Sequence, residues 1–571
     1  MIKDLKQIFY LLEKKEKYLL YVNTIFNFFG IFLEMLTLSL IIPIFRIIFL
    51  NDTFPDFFLT HYLYQLSYKL NINFKFIVLF LFILLFLCKN SLLIFFTFLN
   101  LKFTNLLCIR LSKDLFSLYL KQGYNFFLSS DSNNLLRKVT TDINGVKNFL
   151  VSFQVFLIEL LFITAISALL FYSNQKIFIF IVIFFSSFFY IYLKLVRKKI
   201  LAWSVLFQSN TGNLQNLVAA AIRGVRDIFI YNLQEKFIKN FTIFSQSTYL
   251  TALKQDFINT ILRYWMEMLA IFAIISPMVF FLITERELGK LLPLFALFAV
   301  AIFKIIPSIN RLLNSYQSIR YYKISCNLLF HEFFFLKKNY KINKYKKITF
   351  NKTIEFKNIT FIYDNTKNPI LKNLDFIIKK GESIAILGEN GSGKSTILNL
   401  LSGLSKHSAG LILIDNVQQN LYSNKYWIKE ISYIQQNIFL LNETIKKNIT
   451  LEQPELFNQK RFEEISQILS LDKAFDKFSL KLETVVGDDG LFLSGGQKQL
   501  ISIARALYKK SKIILFDEAD SFLDTYYMLN LKDLFRKLKN KEVTIIVVTH
   551  NTSLLKASFD RVLKIDNCRL S

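Results

Sequence analysis

Residues Gly388-Glu389-Asn390-Gly391-Ser392-Gly393-Lys394-Ser395 are the segment of this chain best suited to hold phosphate. Glycines at 388, 391 and 393 free the backbone from Cβ clashes, so successive N–H groups can curl around one set of phosphate oxygens. Lys394 offers a point charge to β- and γ-phosphates, Ser395 a hydroxyl to Mg²⁺, and Thr396 continues the lining. A helix following the loop adds the positive end of its dipole. ATP with Mg²⁺ is the expected ligand pair.

The surrounding elements suit that reading. Ser383-Ile384-Ala385-Ile386-Leu387 has the composition of a buried strand and runs straight into the glycines, giving the strand–loop–helix order that a phosphate loop needs. About 120 residues later, Ile513-Ile514-Leu515-Phe516 forms another buried strand ending in Asp517-Glu518. Carboxylates at the C-terminal end of a parallel strand face the nucleotide crevice. Asp517 is placed to hold Mg²⁺, and Glu518 to polarise an attacking water. Thr353–Phe356 and Phe361–Tyr363 read as the first strands of the same α/β domain.

Leu493-Ser494-Gly495-Gly496-Gln497 resembles the signature of the ATP-binding cassette (ABC) transporters, and the resemblance reaches further residues. It implies that Tyr363 stacks on adenine, and that Gln436 senses Mg²⁺ and the attacking water, so that Ser395, Gln436 and Asp517 surround the metal. It places Asp524 on a loop that crosses between two motors, and His550 at the γ-phosphate. Glu518, His550 and Gln436 are thus the expected catalytic set. Gln435, Phe522 and Leu500 depart from the family pattern without removing a reacting group. In this family Ser494, Gly495, Gly496 and Gln497 close on nucleotide held by the opposite motor. With one motor per chain, the resemblance implies a homodimer with two equivalent sites.

Composition shows what the motor is attached to. The 571 residues are 53% hydrophobic, with a mean hydropathy of +0.37. The apolar surplus lies in runs at 18–50, 75–105, 146–173, 176–193, 264–284 and 291–309, most of them long enough to cross ~30 Å of hydrocarbon as helices. Residues 106–145 and 198–262 carry helix-patterned apolar positions and are expected to extend those spans beyond the bilayer, turning around near Asp131–Asn144 and Gly224–Glu235. Asn51–Leu70 reads as a short aromatic helix at the outer lipid–water boundary. The fold class expected is a membrane protein, a six-helix exporter-type transmembrane domain (1–335) joined by a linker (336–350) to an α/β P-loop nucleotide-binding domain (351–571).

The net charge of +28 invites a nucleic-acid partner. Lysine is over-used together with phenylalanine, at 63 copies, and basic residues collect in particular loops, as the positive-inside rule requires. No nucleic-acid partner is expected, and the N-terminus and the ATPase domain are assigned to the cytoplasm. Cys88, Cys108, Cys326 and Cys568 have no metal-ligand spacing. The first apolar run lacks a small-residue cleavage site and reads as a retained membrane helix.

Charges within spans are costly and point to function. Lys89, Arg263, Lys304 and Arg311 stand against Glu34 and Glu267, and the excess of cations suits a pathway for an anion. Phe32-Leu33-Glu34, Arg263-Tyr264-Trp265-Met266-Glu267 and Lys304-Ile305-Ile306-Pro307-Ser308-Ile309-Asn310-Arg311 resemble segments of bacterial lipid-linked oligosaccharide flippases of protein N-glycosylation. That resemblance implies ATP-driven outward movement of a polyprenyl-pyrophosphate saccharide across the inner membrane. A peptide, drug or lipid A-type exporter is the alternative, and a non-transporting regulator or channel is a reading from another class.

Overall fold

The computed structural model describes residues 2–40, 44, 65, 67–69, 73–173, 175–283, 288–339, 346–363, 368–389, 391–451, 457–518, 525–549, 559–566 and 569–570. The Asn51–Leu70 boundary helix falls almost wholly outside them. The chain forms two compact units, residues 1–117 with 136–336, and residues 118–135 with 337–571.

The first unit is helical. Its helices are α1 (Ile2–Leu11), α2 (Lys14–Ser39) and α3 (Phe74–Leu120); after a reversal the chain continues as α4 (Tyr124–Ser129), which belongs to the second unit, then α5 (Ser132–Arg137) and α6 (Ile143–Ser173). There follow α7 (Gln175–Arg223), α8 (Val225–Ile230), α9 (Gln234–Ile283) and α10 (Leu288–Asn339). The six apolar runs fall on α2, α3, α6, α7, α9 and α10. Among the described residues, Lys14–Ser39, Phe74–Leu120 and Ser132–Tyr172 are long and apolar enough to cross a membrane. α3, α7, α9 and α10 have 47, 49, 50 and 52 residues. At 1.5 Å per residue each is over ~70 Å long, more than twice the hydrocarbon thickness. Their polar-interrupted ends are therefore helical extensions, as the sequence pattern requires.

The reversal after α3 is not at Asp131–Asn144. It lies at residues 121–131, around α4, and the expected site is the start of the returning helix. Asp131 explains the difference: its carboxylate accepts the Asn133 N–H at 3.1 Å, and its carbonyl accepts from Asn134 and Leu135. Short polar residues that look like a break in the sequence here cap a helix instead. The second reversal does fall within Gly224–Glu235, where Gly224 precedes α8 and Asn232 takes a left-handed φ of 54°.

Ile31 and Leu38 of α2, Phe162, Ile166 and Leu170 of α6, and Phe298 and Ile302 of α10 form the apolar core of the first unit. Charged groups are inserted beside it. Lys304 donates to Glu34 at 3.1 Å, and Lys89, with 4% of its side chain exposed, lies 3.7 Å from the same carboxylate. Arg311 pairs with Glu159 and reaches Ser308 Oγ at 3.2 Å. The Glu159 side chain is 8% exposed and that of Arg311 54%. Removing the cation strands a buried carboxylate. Arg311→Gln is expected to cost about 2 kcal/mol, less than breaking a fully buried pair because the guanidinium is half exposed. Arg311→Gln with Glu159→Gln should recover most of that loss. Thermal melts of the three proteins in one detergent check this, and equal midpoints for the single and double variants would refute it.

The second unit carries an antiparallel sheet in the order β2-β1-β4-β5 and a six-stranded sheet in the order β10-β9-β3-β8-β7-β6. The strands are β1 (Thr353–Phe361), β2 (Leu371–Lys379), β3 (Ser383–Gly388), β4 (Ala409–Ile414), β5 (Val417–Gln418), β6 (Ile431–Ile434), β7 (Ile513–Asp517), β8 (Thr544–Val548), β9 (Arg561–Asp566) and β10 (Arg569–Leu570). β6, β7, β8, β3 and β9 are parallel. Every residue of β7 and β8 is buried, which accounts for their unbroken apolar runs. Ile348 and Phe350, within the stretch read as linker, are buried in the same core.

Candidate functional site

Parallel β3, β8 and β7 end side by side at Gly388, Val548 and Asp517. The loop after β3 turns on left-handed glycines, Gly391 at φ 84° and Gly393 at φ 99°, and delivers the chain to α11 (Lys394–Leu401). Lys394 Nζ donates to the carbonyls of Gly388 at 2.7 Å and Glu389 at 2.9 Å. Burial pulls its pKa below the usual lysine value, opposed by Glu518 and Asp517.

Ser395 Oγ donates to Asp517 Oδ1 at 3.0 Å, and the Tyr433 hydroxyl donates to Oδ2 at 2.9 Å. Burial raises the Asp517 pKa, and those two hydrogen bonds oppose the rise. Glu518 is held at a left-handed φ of 49°. Its N–H donates to Val548 O at 2.9 Å, and Gln436 Nε2 donates to its Oε2 at 2.7 Å. The structure thus brings together Lys394, Ser395, Asp517, Glu518 and Gln436, and adds Tyr433, which the sequence reading did not single out. Tyr433 sits in the short strand leading to Gln436, and only the pairing of β6 with β7 reveals its reach toward Asp517.

Tyr363 packs edge-on against Phe361 with ring centroids 4.8 Å apart, and its hydroxyl lies 3.4 Å from Thr396 Oγ1. Ser494 and Gln497 form a reciprocal capping box at the start of α12 (Gly495–Tyr508), and Gln497 Nε2 donates to Ala474 O at 3.0 Å. Asn390, Asp524 and His550 lie outside the described residues, as does the side chain of Arg263. In the membrane unit, the count of four cations against two acids becomes four against three, because Glu159 pairs with Arg311. It was missed because a lone acid in an apolar run has no periodic signature, and its partner lies 152 positions away.

The residues fit a Mg²⁺–nucleotide ligand. Ser392 Oγ is buried inside the phosphate loop with no hydrogen-bond partner among the described residues. A Cβ on Gly391 would meet nothing within 4 Å among the described residues, so they leave the loop room at that point. The Ser395 hydroxyl and Asp517 carboxylate are hard oxygen donors of the kind Mg²⁺ prefers, and among the described residues no cluster of three His, Cys, Asp or Glu side chains competes as a metal cage.

Comparison with known proteins extends this picture to the whole chain. Residues 371–521 match the family model "ABC transporter", and residues 20–314, more than half of the chain, match "ABC transporter transmembrane region". The ATP-dependent lipid A-core flippase of Wigglesworthia glossinidia brevipalpis is 27% identical over 473 residues, 81% of this chain and 79% of that protein. The protein of the same name from Photobacterium profundum is 27% identical over 466 residues, 80% and 78% of the two chains. The structure of a bacterial Atm1-family ABC exporter with ATP bound superposes with a TM-score of 0.72, covering 95% of this chain and 94% of the other at 18% identity. The chain belongs to the ABC transporter family, as an exporter-type half-transporter in which membrane and ATPase domains are fused.

Proposed function

We propose that this half-transporter pairs with a second copy and uses ATP to move an amphipathic, anionic glycolipid outward across a bacterial inner membrane, with the ATPase domains on the cytoplasmic side. A lipid A-type glycolipid is the first candidate. The observation carrying that choice is the similarity, over four fifths of the chain, to proteins named lipid A-core flippases. It supports the lipid A-type alternative over a polyprenyl-pyrophosphate saccharide. With Glu159 added, Lys89, Arg263, Lys304 and Arg311 stand against Glu34, Glu159 and Glu267, a surplus of one, smaller than the sequence suggested but of the sign an anionic head group requires.

In this reading Lys394 and the loop amides hold the phosphates, while Ser395 and Asp517, with Gln436 nearby, hold Mg²⁺. Bound Mg²⁺ neutralises charge on the β- and γ-phosphates. Glu518, oriented by Gln436, takes the proton of the attacking water, and His550 is assigned to the γ-phosphate. Tyr363 stacks on the base. Asp524 and Ser494–Gln497 complete the partner's site.

Reconstitution into vesicles tests the assignment. Lipid A and a polyprenyl-pyrophosphate saccharide are supplied in separate preparations. ATP-dependent movement of lipid A that stops in Glu518→Gln supports the reading. Lys304→Gln with Arg311→Gln is expected to slow movement about tenfold, the scale of one to two lost charge contacts. Export of peptides or drugs with neither lipid moved would overturn it.

A further inference from the structure

We infer that Tyr433 is a positioning residue for the metal site: its hydroxyl fixes the carboxylate of Asp517 in the orientation that receives Mg²⁺. The inference rests on the reading of Ser395 and Asp517 as the protein's metal-side oxygens. Asp517 ends a wholly buried strand, and the residue is only 8% exposed. Its two carboxylate oxygens are engaged from opposite neighbours, Oδ1 by Ser395 and Oδ2 by Tyr433. Ser395 lies in the first turn of α11, after the phosphate loop, and belongs to the nucleotide side. Tyr433 comes from β6, on the outer side of β7, where it pairs in parallel register with Leu515, two residues before Asp517.

That geometry separates two tasks. An Asp side chain turns about a terminal torsion that is broad and roughly two-fold, so packing alone does not hold its plane. A hydroxyl fixed to one oxygen does hold it, and leaves the other oxygen aimed at the ligand. Groups that orient a metal-binding carboxylate from behind usually matter to affinity about tenfold or more. The Tyr433 ring itself packs against the apolar core of the same domain, so the hydroxyl is presented from a rigid base.

Tyr433→Phe removes that hydroxyl and keeps the ring. Full-length protein is loaded with ADP, and the probe is Mn²⁺, whose free concentration is read by electron paramagnetic resonance. The Mn²⁺ dissociation constant is expected to rise about tenfold, with metal-free ADP affinity within about twofold of wild type and the thermal midpoint unchanged. ATP hydrolysis should show the same shift in half-saturating Mg²⁺ and recover at high Mg²⁺. Unchanged Mn²⁺ affinity in Tyr433→Phe would overturn the proposal. So would a loss of activity that excess Mg²⁺ cannot restore and that tracks a lowered midpoint, since that is a packing defect. Wild-type protein that takes up no Mn²⁺ with ADP would instead remove the metal-site reading underneath. Should Tyr433→Phe fold poorly, Tyr433→Leu supplies an apolar side chain without a donor in the same assay, and wild-type Mn²⁺ affinity in it would also count against the proposal.

Discussion

Glu518→Gln is expected to lower ATP turnover by about 100-fold or more while leaving nucleotide affinity within about threefold. The amide has the size of the carboxylate and can still meet Gln436, so the local structure has little reason to change. What it lacks is a lone pair basic enough to take a proton from water. The backbone supports the same conclusion. A non-glycine residue at a φ of 49° costs about 1 kcal/mol or more, and Glu518 is kept there by its N–H bond to Val548 O. The fold therefore aims this side chain at a fixed place. Turnover and binding of a fluorescent ATP analogue, measured on one preparation, decide the matter. Retention of more than a tenth of wild-type turnover would assign the proton transfer to another group.

The second large effect concerns which chain completes each site. Lys394→Ala removes the phosphate-side ammonium, and Ser494→Arg places a long cation at the capping box that begins α12. Each variant alone should be nearly inactive. If a site combines the loop of one copy with the signature of the other, dimers containing one chain of each variant hold one site with both halves intact. Co-expression with two different affinity tags, followed by tandem purification, isolates those mixed dimers. Turnover near half the wild-type value is expected, or a clear rise over either parent if the two sites fire together. Mixed dimers as inactive as both parents would mean that each chain closes its own site, and the shared-site proposal would fail.

Much of the motor was legible beforehand because its chemistry is local. The phosphate loop needs consecutive residues, glycine torsions and one helix start, and all three are written within 388–395. The carboxylates of Asp517 and Glu518 follow from a strand ending in polar residues. Tyr433 and Glu159 were not legible, because each acts through a partner fixed only by tertiary pairing, β6 on β7 in one case and α6 on α10 in the other. The position of the first reversal failed for a different reason. Asp, Ser and Asn both break helices and cap them, and the sequence alone does not say which a given cluster does. At 131–135 the hydrogen bonds of Asp131 settle it.

The segment 118–135 groups with residues 337–571 rather than with the helices that flank it in sequence. Ser405 Oγ donates to Asn125 Oδ1 at 3.2 Å, and a Cβ on Gly123 would stand only 1.7 Å from the Tyr422 hydroxyl. That fit has a consequence for biosynthesis. The segment leaves the ribosome roughly 200 residues before the first part of the domain that receives it. At ~5–20 residues per second, it waits on the order of 10–40 s with Gly123 and Asn125 not yet met by Tyr422 and Ser405. Throughout that interval the nascent chain displays a turn without its seat, a natural point for a chaperone to hold or a protease to cut.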